Sequence, residues 1–112
     1  MQLKDAEQFL EEIRPKVEYW VQEFTGLSFK TPYIILVIGD ATIFYDIKVN
    51  GDLIIIDILN NNDDPELIDA LAHELTHKIR RDNGFDDYDD EFLPQRVQTE
   101  VRYKLLGGNL NA

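Results

Sequence analysis

Ala70-Leu-Ala-His-Glu-Leu-Thr-His-Lys-Ile79 holds both histidines of a 112-residue chain, in the pattern H-E-x-x-H. On a helix, residues four apart stand one turn above each other on the same face. His73 and His77 therefore aim two imidazoles at one point. Glu74 is rotated about 100° from His73, close enough to reach a water at that point without binding there itself. Two histidines on a metal and a glutamate beside its water is the division of labour of a zinc hydrolase. The plainer reading is ordinary helix surface. A chance match in so short a chain is rare, on the order of one in several hundred at ordinary residue frequencies, and the metal reading is preferred.

The flanks of the motif read as helix. Asp64-Pro65-Glu66 suits an N-cap, a first helical residue and an acidic first turn. Ile68, Leu71, Ala72, Leu75 and Ile79 form a buried stripe, with the histidines on a neighbouring face, and Asn83-Gly84 ends the helix. Towards the amino terminus, Leu3, Ala6, Leu10, Ile13, Val17, Trp20 and Phe24 mark one long helix. A kink or break is expected near Pro15, and Gly26 is a plausible stop. Thr31–Ile38 is a β-branched run suited to a strand buried on both faces. Ala41–Val49 alternates as a half-exposed strand, and Asn50-Gly51 turns it into an apolar strand at Leu53–Ile58. Asp82–Glu91 holds six acidic residues, but their spacing does not match an EF-hand. Pro94 opens a last helix with Val97, Val101 and Leu105 as its stripe, closed by Gly107-Gly108.

Composition narrows the chemistry. An apolar share of 44% is that of a globular domain, and 112 residues suffice for one core. Absence of cysteine excludes disulfides and thiolate ligands. A net charge of −11 opposes nucleic acid as a partner and favours basic peptides. No apolar run reaches the length of a membrane span, and Met1–Glu7 lacks the features of a secretory signal. A soluble cytoplasmic protein, without membrane insertion, is the expectation.

Catalytic zinc usually takes three protein ligands and a water. With no further histidine or cysteine, the third must be a carboxylate. Glu100, at the edge of the last helix's stripe, is the expected ligand, and Glu91 is the reserve in the acidic loop. An exposed Glu100–Lys104 pair is the competing role for that glutamate. Glu74 would act as general base. Tyr103 or Arg96 would supply a second donor to the developing oxyanion, with Tyr88 a third option.

His73-Glu-Leu-Thr-His77 followed by a glutamate on a later helix resembles the gluzincin metallopeptidases, the group containing thermolysin. The order of elements over nearly the whole chain resembles the minigluzincins, soluble minimal relatives of integral-membrane metallopeptidase domains. The resemblance implies an α/β (α+β) fold in one minimal zincin domain, 1–112. An amino-terminal helix backs a small three-stranded mixed sheet with a hairpin, followed by the H-E-x-x-H helix and a glutamate helix. It implies Zn2+ on His73, His77 and Glu100, Glu74 as base, and endopeptidase activity. Ala41–Val49 would be the edge strand that binds a peptide or protein substrate through Thr42, Ile43, Phe44 and Tyr45. Lys104 departs from the pattern, because thermolysin-like sequences have an aspartate four residues after the ligand glutamate. Minigluzincins are latent through their C-terminal segments. Here a tail turned back at Gly107-Gly108 is long enough to bring the Ala112 carboxylate to the metal, in its own chain or across a homodimer. Two other readings stand beside this one: a non-catalytic zinc-binding module, and a regulatory protease dedicated to a single protein partner.

Overall fold

A computed structural model describes residues 3–30, 32–38, 44–46, 53–58, 63–85 and 90–107. The elements are α1 (Leu3–Thr25), β1 (Ile34–Ile38), β2 (Phe44–Asp46), β3 (Leu53–Asp57), α2 (Asp64–Asp82) and α3 (Phe92–Leu106). The expected α/β class is corrected to a predominantly helical one. The helices run to 23, 19 and 15 residues, whereas the strands hold 5, 3 and 5. The physical reason is where α2 is buried. Its widest contacts are with α3 and then α1, and the strands touch it only lightly.

The strands form a minor sheet in the order β1-β3-β2. β3 is parallel to β1, with Ile34 opposite Leu53, and antiparallel to β2, with Tyr45 opposite Ile54. Among the described residues, β1 therefore lies at a margin of the sheet. Ile54 and Ile56 of β3 are fully buried. They join Ala6, Leu10, Val17 and Val21 of α1, the aliphatic residues of α2, and Val97 and Val101 of α3 in one cluster.

Local signals account for the helix ends. α1 runs on through Pro15 as one helix and stops at Gly26, whose φ of 71° suits a residue without Cβ. α2 is capped one residue earlier than expected: the Asp63 carboxylate accepts the Glu66 N–H at 2.9 Å. α3 begins at Phe92 instead of Pro94, because Asp90 Oδ1 accepts the N–H groups of Phe92 and Leu93 at 3.1 and 3.3 Å. Gly107, at φ 66°, ends it. Among the described residues, no helix is long and apolar enough to cross a membrane.

Candidate metal centre

α2 is buried around most of its circumference, so its polar residues face other elements more than water. His73 and His77 lie where α2 meets the start of α3, their ring centroids 5.0 Å apart. The two Nε2 atoms are 3.3 Å apart. Glu91, the residue just before α3, spans both: Oε2 is 2.8 Å from His73 Nε2, and Oε1 is 3.1 Å from His77 Nε2. Its side chain does not cap α3, so the carboxylate is available to the imidazoles. Among the described residues, His73, His77 and Glu91 form a group that could hold a metal ion.

Electron-pair accounting sharpens the point. Gln98 Oε1 lies 2.6 Å from His73 Nδ1. A carbonyl oxygen only accepts, so Nδ1 carries the hydrogen. In a neutral imidazole, Nε2 then presents a lone pair towards Glu91 and His77. His73 Nε2 and the Glu91 carboxylate then share either a proton or a metal ion between them. The 3.1 and 3.3 Å separations are also close to those around a metal, whereas 2.8 Å is that of a direct hydrogen bond. Ligands held at about 2.0–2.1 Å around a tetrahedral ion stand about 3.3 Å apart.

Glu74 is 4% exposed. Burial is the main cause that pushes its carboxyl above the ordinary value, while His77 and His73 pull in the opposite direction. It therefore lies within the electrostatic reach of both imidazoles without joining their ligand triangle.

The expected third ligand stands elsewhere. Glu100 is exposed and lines a groove with Phe24, Leu93, Arg96 and Val97, between α1 and α3. Val97 and Val101 define the buried face of α3. Gln98 and Arg102 fall on one flank of that face, Glu100 and Lys104 on the other. The Gln98 flank meets α2, and the opposite flank meets α1, where Lys104 Nζ lies 5.0 Å from the Trp20 ring. Arg96 lines the α1-side groove with Glu100, and Tyr103 is 56% exposed. Neither belongs to the histidine group. Phe44 and Tyr45 lie in β2, whereas Thr42, Ile43, Tyr88 and the tail at 108–112 fall outside the described residues.

Sequence reasoning gave Glu91 second place and missed Gln98. The packing of α2 on α3 accounts for both. α2 and α3 run antiparallel, as Asp69 with Arg102 (2.8 Å) and His73 with Gln98 show. Four residues forward on α2 correspond to four residues back on α3. A ligand level with His77 must therefore come from the beginning of α3 and not from its middle. No known protein family, curated protein or solved structure was found to match the chain.

Proposed function

We propose that the chain is a zinc-dependent peptidase in which His73, His77 and Glu91 hold the metal and Glu74 carries the proton. The observation behind this is the convergence of three ligand groups beside a buried glutamate that takes no part in the triangle. Zinc, when bound, would polarise a peptide carbonyl and acidify water. Glu74 receives the proton of the attacking water on a carboxylate oxygen and delivers it to the leaving amine nitrogen. Its burial strengthens it as a base, because a dry carboxylate binds a proton more readily. The side chain of Glu91 is 56% exposed, so a substrate can approach from its side.

β2 is the strand best placed for that substrate. It lies at a margin of the sheet and touches α2. An extended peptide can add to such an edge through main-chain hydrogen bonds. On this reading the likeness to gluzincins rests on H-E-x-x-H and a carboxylate third ligand, moved from the last helix to the residue before it.

Metal analysis of protein purified without chelator, with a peptide-library digest of the parent and of Glu74→Gln, tests the proposal. The expected result is one zinc per chain in both and cleavage by the parent. Glu74→Gln should lose roughly 10²–10⁴-fold in rate, the usual contribution of a general acid–base group. Absence of metal overturns the proposal. Zinc without hydrolysis by the parent favours the non-catalytic module.

A further inference from the structure

We infer that Gln98 is a positioning residue that fixes His73 as an Nε2 ligand. The inference rests on the metal centre proposed above and adds a residue to it. Imidazole can bind a metal through either nitrogen, and the hydrogen bond made by the other nitrogen selects which. Gln98 Oε1, at 2.6 Å from Nδ1, holds the hydrogen there and turns the Nε2 lone pair towards Glu91 and His77.

The amide is itself held in place. Val97 and Val101, on either side of Gln98 in sequence, are buried in the core. One turn further along α3, Arg102 donates to Asp69 at 2.8 Å, one turn before His73 on α2. Two side-chain contacts at helical spacing on both partners thus set the register of α3 against α2. A rotation of α3 that would carry Gln98 off His73 would also break Asp69–Arg102.

An amide differs from a carboxylate in this position. It orients the ring without adding negative charge beside Glu74 and Glu91. It also carries an acceptor and a donor on one planar group, and the oxygen is the atom that faces Nδ1. Gln98→Glu keeps an acceptor there, whereas Gln98→Leu keeps the approximate size and removes the acceptor.

The competing role is simple packing between α2 and α3, and three measurements separate the two. Zinc affinity by chelator competition should fall roughly 10–100-fold in Gln98→Leu, as for other outer partners of ligand histidines. It should be retained in Gln98→Glu. Metal-free Tm should stay close to the parent's in both variants. Long-range 1H–15N correlation of the imidazoles should show His73 with hydrogen on Nδ1 in the parent and in Gln98→Glu, and a tautomer mixture in Gln98→Leu. Zinc bound equally tightly by the parent and Gln98→Leu overturns the role of Gln98 and leaves the metal centre standing. Failure of the parent to bind zinc overturns the centre itself. If Gln98→Leu does not fold, the parent spectrum decides: zinc on Nε2 with Nδ1–H supports the inference, and zinc on Nδ1 overturns it.

Discussion

α2 carries two polar clusters of opposite character. Around Lys78 the charges are paired. Its side chain is fully buried, and Nζ donates to both carboxylate oxygens of Asp82 at 3.1 and 3.0 Å. Asp82 also accepts the Lys30 N–H at 3.1 Å. Next to this pair, the Arg14 guanidinium lies 4.5 Å from the Tyr33 ring, and its Nε donates to the Tyr33 hydroxyl and to Glu18. Burial first, and then the bond to Glu18, holds the Tyr33 hydroxyl well above its ordinary pKa. Around His73 and His77, by contrast, two imidazole nitrogens and an exposed carboxylate converge within hydrogen-bonding distance. One cluster pairs a buried cation with a buried anion, and the other brings together three groups that could hold a metal ion.

The comparison can be broken most forcefully at Lys78. Lys78→Ala strips the partner from a buried carboxylate and should cost about 3–5 kcal/mol, read from denaturant unfolding. Zinc stoichiometry should not change. If zinc binding is lost from a variant that still folds, the two clusters are not independent. Lys78→Met combined with Asp82→Leu should recover most of the loss, because apolar replacements remove both charges together.

Zinc itself gives the next largest effect. At a free concentration of 100 Kd it should stabilise the fold by about 2.7 kcal/mol, and a chelator should reverse this. Glu91→Ala should abolish the zinc-dependent rise in Tm, whereas Glu100→Ala should retain it. The opposite pattern would return the third ligand to the middle of α3.

The smallest effect concerns how Glu91 is held. Asp90 caps α3 and pairs with the Arg80 guanidinium, and these bonds keep its carboxyl below the ordinary value. Asp90→Ala should loosen the residue next to Glu91 and weaken zinc binding, by less than Gln98→Leu does. Equal zinc affinity in Asp90→Ala and the parent would show that Glu91 needs no help from its neighbour.

What the sequence revealed follows from the range of each signal. The i, i+4 relation of His73 and His77 is intrinsic to one helix, and so are the stripes of α1, α2 and α3. The third ligand depends on how two helices meet. Periodicity placed Val97 and Val101 inwards, but it gives both flanks of that face equal standing. Only the packed structure assigns the Gln98 flank to α2 and the Glu100 flank to α1. The three strands lie where the sequence placed them, but the weight of the sheet in the fold was overestimated. β-Branched apolar runs report strands, but not how much of the packing against α2 is done by α1 and α3 instead. Lys78 was invisible, since a lysine in a helical run reads as surface until its aspartate is placed one turn away in a dry interface.

The α2–turn–α3 hairpin contains the entire centre. His73 and Glu91 are 18 residues apart, and His73 and Gln98 are 25 apart. Closing a loop of that size costs little more than closing one half as long, about 0.6 kcal/mol per doubling. The three groups can therefore meet soon after α3 has emerged during synthesis. Whatever inheritance or engineering does with α1 and the strands, the centre travels as one uninterrupted piece of chain.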